Sequence, residues 1–262
     1  MFDQNEYLHR IKYSGEVKAT IEHLRFLQHA QLFTIPFENF DICLNRTIQL
    51  EPTRLFQKLV QSQRGGYCFE LNGLFLMALK SFGFDARALL GRVHTTGTPS
   101  GRGHQISLVV IQGKQWIADV GFGGATIHAP IPLIVNQPIT QNGQTVRLVE
   151  DPNFGFMLQK KNNDEWENLY SFDLEYVCPA DIKYGNYYTS TNSGSFFVTS
   201  RVAALPVNEG IITLFNRTLT KQLEGKETKY QLAENQTYIE SLKTYFGIEL
   251  DVLYSELKPF VE

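Results

Sequence analysis

The pattern of residues predicts an α+β protein, with helices first, antiparallel strands next and a mixed strand-and-helix segment last. Three observations carry this. Apolar residues in the first third recur at helical spacing. From about Asp85 they change to short runs rich in Val, Ile, Leu and aromatics, separated by turn signals. The chain closes on a further helical pattern that stops at Gly247. With 262 residues, 43% of them hydrophobic, there is chain enough for a sizeable core.

In order, Val17, Ile21, Leu24 and Leu27 predict a helix that ends before Pro36. Pro52 suits the first position of a second helix, with Leu55, Phe56, Leu59 and Val60 on one face and Gly65-Gly66 as its break. A third helix is predicted from Cys68 to Phe82, with Gly83 just beyond its end. Gln112-Gly113, Asn142-Gly143 and Asn162-Asn163-Asp164 then separate strands whose spacing suits an antiparallel sheet or barrel. The polar stretch Thr189 to Gly194 is expected to be a linker or mobile loop. Strands such as Gly210 to Phe215 follow it, and the last helix is expected from about Glu234 to Phe246. The expected units are residues 1–84, 85–190 and 191–262.

Composition narrows the function. Lys plus Arg number 24 and Asp plus Glu 27, a net charge of −3, so no basic surplus points to a phosphate backbone. Neither a basic leader nor a membrane-length apolar run is seen, and three cysteines without CxxC spacing argue against a disulfide framework or structural zinc. The expectation is a cytoplasmic protein with no metal, no nucleic-acid partner and no membrane association.

Reactive chemistry converges on Cys68. It follows Arg64-Gly65-Gly66-Tyr67, where paired glycines permit a tight turn, and it opens a helix whose N–H groups and positive dipole end favour a thiolate. A thiolate nucleophile needs a base and a group to orient that base. His104 opens an apolar run and Asp119 closes the returning run beyond Gln112-Gly113. With a two-residue turn Ile106 opposes Asp119, and His104 becomes its diagonal neighbour, roughly 7–8 Å away at Cβ. A three-residue turn would put the two on opposite faces. Cys43 and Cys178 lack a glycine pair and a helix-start setting, and fit buried apolar roles. His9, His23 and His29 fall on helical segments, while His94 and His128 have no evident partner.

Three blocks together resemble the arylamine N-acetyltransferases. Arg64-Gly65-Gly66-Tyr67-Cys68-Phe69-Glu70, with Asn72 and Gly73 after it, is similar to that family's active-site signature. Ile35 to Asp41 is similar to its block ahead of the cysteine, and Trp116 to Gly123 to its aspartate block, with His104 upstream. The resemblance spans about the first half of the chain. It implies a helical bundle, a β-barrel and a C-terminal α/β lid around a cysteine-protease-like Cys-His-Asp core. It also implies acetyl-CoA as acetyl donor, an aromatic amine, hydrazine or hydroxylamine as acceptor, and a ping-pong cycle through acetyl-Cys68. His104 would be the base and Asp119 its orienting group. Phe37 and Phe122, with Val93 as a weaker third, would wall the acceptor pocket, and no CoA-contacting residue is assigned.

Other readings use the same residues. A papain- or transglutaminase-like cysteine hydrolase, or an amide synthase working on a carrier-bound acyl chain, also runs Cys, His and Asp in this order. A non-catalytic ligand-binding module is a further alternative, against which the intact Cys68, His104 and Asp119 weigh.

Overall fold

The computed structural model describes residues 2–260. Helix α1 (Gln4–Arg10) starts where the Asp3 carboxylate accepts the N–H groups of Asn5 and Glu6. Helix α2 (Ile21–Leu32) is capped by the Thr20 hydroxyl and buries Leu24, Leu27 and Leu32. Val17 lies ahead of it and packs beside the bundle core from the preceding loop. A two-residue strand β1 (Phe37–Glu38) and the short helix α3 (Phe40–Cys43) follow. Helix α4 (Pro52–Phe56) has proline in its first turn and runs directly into a π-helical turn over Gln57–Gln61. Helix α5 (Cys68–Ser81) ends where Gly83 takes φ +81°.

The middle of the chain supplies β2 (Asp85–Val93), β3 (His104–Ile111), β4 (Lys114–Ala118), β5 (Ile131–Pro132), β6 (Ile139–Gln141), β7 (Gln144–Asp151), β8 (Gly155–Asn162) and β9 (Glu165–Phe172). They form one antiparallel eight-stranded sheet in the order β5-β4-β3-β2-β9-β8-β7-β6. Its two ends approach each other where Val135, just after β5, bridges Leu148 of β7, so the sheet curls into a nearly closed barrel. Strand β3 alternates in the way a two-sided strand must. Ile106 and Leu108 join Leu89, Leu148, Leu158 and Tyr170 inside the barrel, whereas Val109 and Ile111 face outward onto Leu71, Leu74 and Phe75 of α5. Helix α5 is therefore glued to the outer wall of the barrel.

Helices α6 (Pro179–Thr191) and α7 (Phe196–Thr199) lead to β10 (Val202–Val207), β11 (Gly210–Phe215), β12 (Thr218–Leu223) and β13 (Lys226–Gln231), and then to α8 (Gln236–Phe246). The second sheet runs β1-β10-β11-β12-β13, so Phe37 and Glu38 from the N-terminal region form its edge. Helix α8, closed by Gly247 at φ +67°, packs Tyr238, Leu242 and Phe246 against Leu214 and Leu219 of this sheet and Phe40 of α3.

One expectation fails. The stretch Thr189 to Gly194 is not wholly a linker, because Thr189, Ser190 and Thr191 form the last turn of α6. Pro179 at its start and Asp181, which accepts the Cys178 N–H at 2.8 Å, launch that helix. It is set down on its neighbours by small residues. A Cβ at Gly185 would lie 2.7 Å from Phe69 Cζ and 3.0 Å from the Arg102 carbonyl. Such a helix has no broad apolar stripe, which is the signal a periodicity search looks for. The expected boundary between residues 190 and 191 consequently falls inside it.

Candidate active site

The turn before Cys68 is built from two of the sequence blocks locked together. Gly66 N–H donates to the Pro36 carbonyl at 3.2 Å and the Gly66 carbonyl accepts Glu38 N–H at 2.9 Å. No side chain fits between them, since a Cβ at Gly65 would stand 2.3 Å from the Pro36 oxygen. Beneath the turn lies a buried ionic network. Arg64 reaches Glu38 at 2.7 Å and Asp41 at 3.2 Å, and Lys58 reaches Asp41 at 2.6 Å and Glu70 at 2.8 Å. The other oxygen of Glu70 accepts the Tyr67 N–H at 3.1 Å, fixing the residue that precedes the cysteine. Cys68 thus enters α5 at its first position, where its own N–H has no intrahelical acceptor.

The hairpin β3–β4 has a two-residue turn, with Gln112 at φ +50° and Gly113 at φ +75°, and Ile111 pairs with Lys114. His104 and Asp119 accordingly share a face, and His104 Nε2 lies 2.8 Å from Asp119 Oδ2. Asp119 is fully buried, and its other oxygen accepts from Asn72 Nδ2 at 2.9 Å and from Gly121 N–H at 2.8 Å. Burial by itself would raise this carboxyl, but His104, Asn72 and the Gly121 N–H hold it below the usual carboxylate range. It is an anion at neutral pH.

The Cys68 sulfur sits against the backbone on either side of His104. Its S–H donates to the Gly103 carbonyl at 3.5 Å, and the N–H groups of Gln105 and Phe69 point at it. Cys68 is only 3% exposed, and burial pushes its thiol up, opposed by those two N–H groups. The helix start alone does not leave a free-standing thiolate here, contrary to the simplest expectation.

Aromatic rings surround the imidazole. Phe122 and Tyr170 each lie 4.8 Å from His104 between ring centres, and 4.9 Å from one another. Phe37 packs in the same cluster as Cys68, with Phe197 of α7 5.9 Å from it and 5.6 Å from Tyr67. Val93 stands at the end of β2 opposite Tyr170, on the strand face that Leu89 and Gly91 share. Sequence reasoning passed over Asn72, Phe197, Tyr170 and Lys58. Only Asn72 carried a signal, as part of the block after Cys68.

The remaining cysteines and histidines stand aside. Cys43 is buried beside Ser200 and Arg201, its thiol pushed up to about 12, mainly by burial. Cys178 does stand at a helix start, as the cap of α6, which its sequence setting had not suggested. His94 bonds Ser171 Oγ at 2.9 Å and His128 the Asn142 carbonyl at 3.3 Å, so both have partners that the sequence left unidentified. Among the described residues no group of three or more His, Cys, Asp or Glu is placed to hold a metal ion, and no helix is long and apolar enough to cross a membrane.

Known proteins resemble this chain in both sequence and fold. An N-acetyltransferase family model matches residues 20–254. The chain belongs to the arylamine N-acetyltransferase family. The arylamine N-acetyltransferase of Escherichia coli K12 is 40% identical over 251 residues, covering 94% of this chain and 89% of that one. An arylamine N-acetyltransferase of Mycobacterium tuberculosis is 35% identical over 257 residues, covering 95% and 90%. Among solved structures, the Salmonella typhimurium arylamine N-acetyltransferase superposes with TM-score 0.91 at 33% identity, covering 97% of this chain and 95% of its own. The Mycobacterium marinum enzyme in complex with CoA superposes with TM-score 0.88 at 33% identity, covering 94% and 93%. The arylamine N-acetyltransferase likeness therefore extends through the C-terminal third, where the sequence blocks did not reach.

Proposed function

We propose that this arylamine N-acetyltransferase moves the acetyl group of acetyl-CoA onto arylamines, arylhydrazines or arylhydroxylamines through acetyl-Cys68, with His104 as base and Asp119 as its orienting anion. The observation that carries the assignment is the 2.8 Å His104–Asp119 contact beside a sulfur held by the backbone of residues 103 and 105.

In the first half-reaction the Cys68 proton passes to His104 and the sulfur attacks the acetyl carbonyl carbon. The oxyanion that forms needs fixed donors, and the Cys68 N–H at the first helical position is one that no helix carbonyl uses. Collapse breaks the carbon–sulfur bond to CoA, and imidazolium returns its proton to the departing CoA sulfur. One thioester replaces another, so little free energy is lost. In the second half-reaction the amine nitrogen attacks acetyl-Cys68 and gives its proton to His104. The Cys68 sulfur leaves as the amide forms and is reprotonated from imidazolium.

Phe37, with Phe197 beside it, and Phe122 present flat apolar surface suited to an aromatic acceptor. We assign the chain to a reducing cytoplasm, which suits three free thiols. The test is intact mass after brief exposure to acetyl-CoA without amine, beside Cys68→Ala. One acetyl adduct, absent from the variant and discharged by an aromatic amine, is the expected result. A folded protein that takes no acetyl group overturns the assignment.

A further inference from the structure

We infer that Lys58 is a positioning residue for acetyl transfer: through Glu70 it sets the first turn of the helix that carries Cys68. The inference rests on the reading of Cys68 as acetyl acceptor given above.

Lys58 belongs to the π-helical turn Gln57–Gln61, in which Ser62 N–H reaches back five residues to the Gln57 carbonyl at 2.8 Å. Such turns interrupt a regular helix at a cost and are often found where a side chain must be re-aimed. Here the side chain is that of Lys58. Its ammonium lies 2.8 Å from Glu70 and 2.6 Å from Asp41, and the side chain is 16% exposed. Its carbonyl accepts the Arg64 N–H at 3.1 Å. One residue therefore grips the loop on both sides of Cys68, at Arg64 and at Glu70.

The Glu70 carboxylate depends on that grip. It is 2% exposed and faces Lys58 from the π turn, Glu38 and Asp41 from β1 and α3, and the Tyr67 N–H from its own turn. Arg64 is committed to Glu38 and Asp41, and Arg46 approaches Asp41, so Lys58 is the cation paired with Glu70. Burial raises the Glu70 carboxyl, and Lys58 opposes that rise. Without the ammonium, Glu70 is a buried acid among two other acids and takes up a proton. Its hold on the Tyr67 N–H weakens, and with it the direction in which the Cys68 N–H and sulfur point. Gly66 is drawn in too, since a Cβ there would lie 2.9 Å from a Glu70 carboxylate oxygen.

The experiment follows Cys68 acetylation by acetyl-CoA in single turnover, by intact mass against time and pH, with melting temperature measured alongside. Lys58→Met is expected to slow acetylation about tenfold or more, with a smaller change in the acetyl-CoA concentration that half-saturates the rate. Its rate should climb with pH, as Glu70 regains its charge. Lys58→Arg should restore most of the rate. Combining Lys58→Met with Glu70→Gln should leave acetylation about as slow as in Lys58→Met and abolish the added pH dependence, because the neutral amide stands in for the protonated carboxyl. That double variant also serves if Lys58→Met alone fails to fold. A Lys58→Met protein that acetylates at the wild-type rate and pH profile overturns the inference. So does a double variant that keeps the added pH dependence, with both losses tracking melting temperature. If the wild-type chain takes no acetyl group, the underlying reading fails instead.

Discussion

Asn72 Nδ2 donates to Asp119 Oδ1 at 2.9 Å, and the Asn72 oxygen accepts the Val120 N–H at 3.1 Å. One side chain from α5 thus holds both the carboxylate and the backbone beside it. Asn72→Ala leaves the buried Val120 N–H without its acceptor and takes one of two donors from Asp119 Oδ1, and a stability loss of about 1–3 kcal/mol is expected, with slower acetylation. Asp119→Asn removes the anion and keeps the shape. It should still fold and lose roughly three to four orders of magnitude in acetyl transfer, by analogy with triad aspartates elsewhere. Single-turnover acetylation and thermal melting of the two variants separate these effects, and near-normal turnover of Asp119→Asn would refute the role given to Asp119.

Gly121 is where the hairpin meets the cysteine helix. A Cβ there would lie 2.8 Å from Asn72 Nδ2 and 3.0 Å from Cys68 Cα. Gly121→Ala should cost about 1–3 kcal/mol as an overpacking change and should depress acetylation, because the atoms forced apart are those of the site. Gly101, whose added Cβ meets nothing within 4 Å, is the control. Urea midpoints of Gly121→Ala and Gly101→Ala decide, with equal midpoints counting against the packing account.

Acid should unfold the protein partly through its site. The carboxyl of Asp119 is buried and that of Asp41 largely shielded, which alone would raise them. They are nonetheless held below the ordinary range, Asp119 first by His104 and Asp41 first by Lys58. A carboxyl with a depressed folded-state pKa binds fewer protons folded than unfolded. Its stabilisation is therefore complete above about pH 4, and fades as pH falls through the depressed values. Denaturation midpoints between pH 7 and pH 3 should show this limb, and it should be shallower in Asp119→Asn.

The three thiols should differ in reactivity. Cys43 is 5% exposed with its thiol pushed up to about 12, whereas Cys178 is partly exposed at the start of α6. Iodoacetamide at mildly alkaline pH should label Cys178 well before Cys43. Labelling of Cys68 should be blocked by prior acetylation. Peptide mass mapping reads all three sites, and early modification of Cys43 would mean that the packing of α3 on the second sheet opens readily.

Local chemistry was legible without any structure. Gly65-Gly66 announced a turn, Gly83 and Gly247 announced helix ends, and Gln112-Gly113 announced the hairpin whose two-residue turn sets His104 and Asp119 on one face. Each depends on backbone freedom at one or two positions, which a residue type reports directly. Helix α6 was less legible, because Gly185 and Thr189 dock it by close approach and leave no apolar stripe.

The sequence by itself determined the order helix, strand, mixed segment, and through three blocks it singled out Cys68, His104 and Asp119 as the candidate site. Only the tertiary structure decided what surrounds them. Phe197 reaches Phe37 from 160 residues along the chain, and Tyr170 flanks His104 from a strand paired with β2. Lys58, Glu38, Asp41 and Glu70 share one network, with Arg64, although they come from three separate stretches. Such contacts have no period and no local signature. They exist because burying charge forces each ion to find its partner, wherever in the chain that partner lies.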